Sequence, residues 1–209
     1  MMQKGKYICN TILTIKKIIV KMEKDSLRND IVERIINSKF GEHNIVLYSD
    51  IRTLPCLYSK YSKRSLDSSN EIVLILPHYQ SITNILKSLT NSGIDIDKSK
   101  KEGSIVVVES KKGYYSLTDE FVGIMIMVEM LLQRAKKLNK SGITVISDMG
   151  LFFHLNRIEN LIKWETELSS SIYATKVRIL CNYSETDFGR LDENQRKHLL
   201  DHHSKIISE

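Results

Sequence analysis

Five short apolar runs constrain this chain more than any other feature: Ile45–Tyr48, Glu71–Leu76, Ser104–Glu109, Ile143–Asp148 and Lys176–Tyr183. Their centres, Val73-Leu74-Ile75-Leu76 and Ile105-Val106-Val107-Val108 among them, are continuous rather than alternating. A strand with one wet face alternates apolar and polar residues. A strand covered on both faces does not, and burial on both faces belongs to parallel sheets flanked by helices. Helical patterns at about 54–66, 80–92, 118–138 and 155–170 separate the runs, and a last helix is expected at about 192–203. Another is expected from residue 25, with Asp25 or Ser26 as its N-cap and Ile31, Ile35 and Ile36 on one face. The fold class is therefore α/β, a three-layer α/β/α sandwich around a mostly parallel central sheet. No internal repeat or low-complexity linker divides residues 22–209, which read as one domain.

Residues 1–21 differ from the rest. They hold five of the 31 basic side chains (Lys4, Lys6, Lys16, Lys17 and Lys21) and none of the 25 acidic ones. The formal charge of +6 thus resides mainly in this extension, and the domain body is close to neutral. A body without a basic surface argues against nucleic acid as its partner. The extension reads either as an arm used in association or as a segment ahead of a start at Met22. Cys9, Cys56 and Cys181 form an odd set without CxxC or zinc-ligand spacing, which fits a reducing compartment. Residues 8–20 are broken by Lys16 and Lys17, and the apolar run Phe121–Leu132 is shorter than the roughly 20 residues a bilayer demands. A cytoplasmic location and no membrane partner are the expectations.

The loop after the first strand lacks what a nucleotide-hydrolysing fold would carry there. A phosphate loop reads GxxxxGK[ST], because glycines let backbone N–H groups wrap phosphates and the lysine neutralises them. Here the residues are Ser49-Asp50-Ile51-Arg52-Thr53-Leu54-Pro55, and no glycine occurs from 42 to 92. No turnover of ATP is expected, and the chain reads as a binding or signalling domain with no catalytic residue and no cofactor.

Several residues are candidates for chemistry. Leu155, Ile158, Leu161, Ile162 and Leu168 form an apolar helical stripe with Glu165 in its middle. A carboxylate there costs several kcal/mol unless paired, so Glu165 either reaches solvent at the stripe's edge, has a buried partner or faces a ligand. Asp148 ends the fourth strand, where ligands collect in open α/β sheets. Without a phosphate loop, capping the next turn is favoured over holding a metal. His198 and His202 stand four apart in the last helix, with His203 beside them. A solvated face is favoured over a zinc site, since no HExxH or cysteine cluster completes one. No GxSxG elbow is present, and Cys181, between apolar strand neighbours, reads as an inert core thiol. Tyr114 and Tyr115 follow Gly113, where they line a pocket or simply pack.

Two segments resemble a known family. Gly41-Glu42-His43-Asn44-Ile45-Val46-Leu47-Tyr48 is similar to the opening G-[DE]-H-x-x-x-x-Y of MEDS domains, sensory domains of methanogens and methylotrophs. Ile179-Leu180-Cys181-Asn182-Tyr183 resembles the family's LC-x-Y strand. His203-Ser204-Lys205-Ile206-Ile207 resembles its closing H-P-x-x-I, with serine where proline is usual. Gly103–Val108 and Tyr115 fit its third strand and following aromatic, and Trp164-Glu165 with Leu168 fits a helix pattern. The resemblance spans roughly residues 29–207. It departs in the apolar helix 118–132 and at Ser147-Asp148-Met149, where the family has Gly-Glu-Met. It implies a RecA/KaiC-like fold that has lost its phosphate loop, used to sense small organic compounds, and marks His43, Tyr48, Glu165, Cys181, Tyr183 and His203 as motif residues.

A non-catalytic sensory or regulatory domain is the expected function, with a small-molecule ligand or a signalling protein as partner. The alternatives are a KaiC-like protein that holds nucleotide without hydrolysing it, and a DNA-associated regulator acting through the basic arm. Loops at the carboxyl ends of the strands collect Ser49, Asp50, Arg52, Tyr115 and Asp148, the expected ligand contacts. Arg52 is the expected carboxylate or phosphate contact, because its planar fork binds bidentately. Helix 118–132, apolar around most of its circumference, is the expected surface for self-association.

Overall fold

The apolar runs form strands wherever both faces find a cover. The computed structural model describes residues 33–35, 37–115, 120–169 and 176–208. The basic extension and the helix expected from residue 25, apart from its last turn, lie outside them. The strands are β1 (His43–Tyr48), β2 (Ile72–Leu76), β3 (Ile105–Val107), β4 (Ile143–Asp148), β5 (Val177–Ser184) and β6 (Lys205–Ser208). They make one six-stranded sheet in the order β3-β2-β4-β5-β1-β6, and every pairing is parallel. The α/β expectation therefore holds, with a sixth strand added. β6 lies parallel to β1, with Ile206 opposite Ile45 and Ile207 opposite Val46. Its pattern of one buried residue among exposed ones is that of an edge strand, too short and too wet to announce itself in the sequence.

Helices α1 (Thr53–Asp67), α2 (Ile82–Asn91) and α3 (Ile96–Glu102) follow the first two strands. Then come α4 (Ser110–Tyr115), α5 (Glu120–Lys137), α6 (Gly150–His154), α7 (Ile158–Ser169), α8 (Glu185–Phe188) and α9 (Glu193–Asp201). Local chemistry marks several ends. The Ser81 hydroxyl accepts from the Asn84 N–H at the start of α2, and Asp192 with Gln195 forms a capping box on α9. Gly103 ends α3 at φ 67°, a left-handed conformation open to a residue without Cβ.

Two cores flank the sheet because side chains alternate along each strand. On one face Val46, Val73, Ile75 and Leu180 meet Leu54, Leu57, Tyr58 and Tyr61 of α1 and Ile85 and Leu89 of α2. On the other, Ile45, Leu74, Val145 and Cys181 meet α5, α7 and α9. In α5, Ile124, Val128, Leu131 and Ala135 form the buried face, whereas Ile126 and Met130 stay exposed, at 44% and 65%. No helix among the described residues is long and apolar enough to cross a membrane.

Candidate functional site

Strand alternation brings two sets of polar side chains together, one at the carboxyl ends of the strands and one beneath the helices. At the carboxyl ends, a shallow open cavity of about 590 Å³ lies over β1 and β5. Ser49, Asp50, Ile51 and Arg52 form one wall, with Tyr79 opposite and Tyr48 and Ser184 below. Asp50 holds Arg52 in place. Its carboxylate accepts from the Arg52 backbone N–H at 2.9 Å and from Nε at 2.9 and 2.8 Å, and Nη2 lies 2.5 Å away. The Tyr79 hydroxyl donates to Asp187 at 2.5 Å, and the Ser184 hydroxyl donates to the same carboxylate at 2.9 Å. Three of the expected ligand contacts, Ser49, Asp50 and Arg52, thus share one crevice.

Asp148 does not reach it. The residue is fully buried, and the loop after β2 folds over it. Its carboxylate accepts from the backbone N–H of Tyr79 at 2.9 Å, of His78 at 3.2 Å and of Gly150 at 3.1 Å. It ties the loop that carries Tyr79 to β4, so the turn-capping reading was correct as far as Gly150 and too small. A Cβ at Gly150 would collide with the Tyr79 ring, so glycine is what lets that loop close. Tyr115 ends α4, and its side chain lies outside the described residues. Tyr114 is a core residue, with its ring edge-on to Phe152 at 5.0 Å and to Trp164 at 5.3 Å.

Burial raises the Asp148 carboxyl to about 6, against three backbone N–H groups that lower it. An acid whose folded pKa is raised binds more protons folded than unfolded between about pH 4 and 6, so its contribution to stability falls as pH rises through that window. The Asp148→Asn variant lacks this dependence. Its cost relative to the parent should be larger at pH 4.5 than at pH 7, by roughly 2 kcal/mol. Denaturant unfolding of both proteins at the two pH values measures it, and a cost independent of pH would refute it.

The second set lies between β1, β5, α7 and the segment entering β6. His43 opens β1, and its Nε2 is 2.9 Å from Glu165 Oε2 and 3.1 Å from Cys181 Sγ. His203 Nε2 is 3.3 Å from the same carboxylate oxygen. Cys181 Sγ lies 3.5 Å from it, and the Tyr183 hydroxyl donates to the other oxygen, Oε1. The two imidazoles stack with centroids 3.9 Å apart. Five of the six motif residues therefore meet in one buried cluster; Tyr48 alone points to the opposite face, under the crevice.

The cluster decides one open reading, extends a second and corrects a third. Glu165 does not reach solvent: it is fully buried and surrounded by partners. Cys181 is a buried core thiol, as expected, and period-two alternation puts it on the face opposite Leu180, where it also meets His43 and Glu165. Burial and the Glu165 charge raise its thiol pKa well above the ordinary value. His203 is not on a solvated face. The helix stops at Asp201, and the His203 Nδ1–H donates to the Leu199 carbonyl at 2.5 Å, turning a fully buried ring inward. His198 and His202 stay half-buried beside it, the former 2.6 Å from the Thr166 hydroxyl. Burial opposes ionisation of Glu165, yet His203 and His43 outweigh it and hold the carboxyl well below the usual range. Burial lowers the His43 pKa, against the pull of Glu165.

Comparison with solved structures finds a KaiC-like protein, PH0186, from the hyperthermophilic archaeon Pyrococcus horikoshii OT3, with a TM-score of 0.54. At 12% identity, over 80% of this chain and 70% of that one, the likeness is one of fold and supports the RecA/KaiC-like reading. No curated protein matches the sequence. Residues 42–204 match the family described as MEDS, the MEthanogen/methylotroph, DcmR Sensory domain. The match starts one residue before His43 and ends one after His203, so it encloses the whole buried cluster, and the chain belongs to the MEDS family.

Proposed function

We propose that this protein is a sensory domain without catalytic turnover, which binds a small polar organic molecule in the crevice over β1 and β5. The observation that carries the reading is the composition of that crevice. Where a phosphate loop would wrap an anion with backbone N–H groups, the chain presents the Asp50–Arg52 pair, a carboxylate that repels phosphate and a guanidinium fork able to take a carboxylate. Tyr79 and Ile51 add apolar surface beside these polar groups, the mixture a small organic ligand requires. Membership of a sensory family supports the regulatory part of the proposal.

A thermal-shift screen of small carboxylates, alcohols and amines, with Mg·ATP as a separate arm, tests it. At least one small compound should raise the melting temperature while Mg·ATP does not. Arg52→Ala should weaken that compound's binding at least tenfold. Because the pair is exposed on the Arg52 side, the same change should alter stability by less than about 0.5 kcal/mol. Protection by Mg·ATP alone would replace the proposal with the nucleotide-holding reading.

A further inference from the structure

We propose that His43, Glu165, Cys181 and His203 form a binding site for a divalent transition metal of the zinc class. One donor atom from each lies within 4.8 Å of all the others. The close separations are 2.9, 3.1, 3.3 and 3.5 Å. Tetrahedral coordination with bonds of about 2.0–2.3 Å needs donors about 3.3–3.8 Å apart. Those four pairs need to move by a few tenths of an ångström, and the other two, which lie within 4.8 Å, by no more than about 1.5 Å.

Three further observations point the same way. First, the Leu199 carbonyl can only accept, so the His203 Nδ1–H donates to it and Nε2 is the ring atom turned toward the cluster. Nε2 faces the Glu165 carboxylate oxygen at 3.3 Å, an ion-pair contact at the long end of hydrogen bonding. A cation shared by the two atoms, a proton or a metal ion, holds them at that distance. Second, a carbonyl on the far nitrogen of a histidine and a hydroxyl on the far oxygen of a carboxylate are the outer contacts that orient metal ligands, and Leu199 and Tyr183 supply both. Third, the charges close. A thiolate, a carboxylate and two neutral imidazoles balance one divalent ion, so the buried site becomes neutral once the Cys181 thiol proton has left to bulk water.

Two nitrogens, one sulfur and one oxygen suit zinc and exclude the hard cations, which prefer all-oxygen sites. Four protein ligands leave no open position, so the ion would serve structure or metal sensing rather than hydrolysis. It would join β1, β5, α7 and the segment that leads into the edge strand β6, making the docking of β6 depend on metal.

The test uses the full chain, stripped by chelator and titrated with Co(II), then with Zn(II). One equivalent of Co(II) should give the visible bands of a tetrahedral site and a thiolate-to-cobalt charge-transfer band, both bleached by Zn(II). Cys181→Ser should abolish the charge-transfer band and Cys56→Ser should keep it. Tyr183→Phe should weaken affinity about 10–100-fold. Zinc at about 100 times its Kd should raise the melting temperature by about 5–10 °C. A stripped parent protein that melts cooperatively yet gives no Co(II) spectrum would overturn the site, as would a charge-transfer band that survives Cys181→Ser. Neither result depends on the crevice, so the ligand proposal stands or falls separately.

Discussion

Glu165→Ala is expected to lower stability by about 3–5 kcal/mol in metal-free protein, the usual cost of removing one member of a buried charged network. The change leaves His43 with the loss of its 2.9 Å contact and strands the Tyr183 hydroxyl, both in a region closed to water. It also empties the middle of a helix face that packs Leu161, Trp164 and Leu168 against the sheet. For a domain of this size the melting temperature should fall by about 6–20 °C. Glu165→Gln should cost less, since the amide keeps the shape and an acceptor for Tyr183. Thermal unfolding in chelator measures both, and an Ala variant melting within about 2 °C of the parent would show that the network contributes little.

The second large effect is expected on the other face of the sheet, at the amino ends of the strands. Glu71 and Arg178 are both buried, with Nη2 to Oε1 at 2.5 Å. Thr144 donates to the other Glu71 oxygen, Arg178 Nη1 donates to the Ser38 carbonyl, and the guanidinium lies over the Phe40 ring at 4.6 Å. Burial raises the Glu71 carboxyl, against Thr144 and Arg178. Arg178→Ala should cost about 3–5 kcal/mol, because it leaves that carboxylate alone in the interior. The double variant Glu71→Leu, Arg178→Met should recover most of the loss, since apolar replacement of a whole buried pair is often neutral or better. Denaturant unfolding of the singles Glu71→Leu and Arg178→Met and of the double closes the cycle. A double variant as unstable as the sum of the singles would mean that the pair's shape, not its charge, is what the sheet needs.

The elements were legible where they are fully covered. β2 and β4 are buried at every position, so their apolar runs have no wet side to interrupt them. Helices α2 and α9 carry side-chain caps that a local reading can use. The short helices α3, α4, α6 and α8 were not foreseen, because a turn or two of helix has too few residues for a period to show.

Site residues were read less well, and the reason is directional. Glu165 stood out as a charge in an apolar stripe, a conflict visible within one helix. Its partners could not be found that way. His43, Cys181 and His203 belong to separate segments, and each looks ordinary among its sequence neighbours. Asp148 sits at a strand's carboxyl end, as a ligand contact should, but the loop after β2 occupies its lone pairs first.

The sequence by itself determined the fold class and the missing phosphate cradle. Both are local properties: apolar runs continuous over four to six residues, and a loop with no glycine. Only the tertiary structure decided the strand order, the sixth strand and the buried cluster. Placing β5 beside β1 sets Cys181 opposite Ile45 and so aligns it one step along from His43. That adjacency comes from how crossovers pack on a sheet, and no spacing along the chain encodes it.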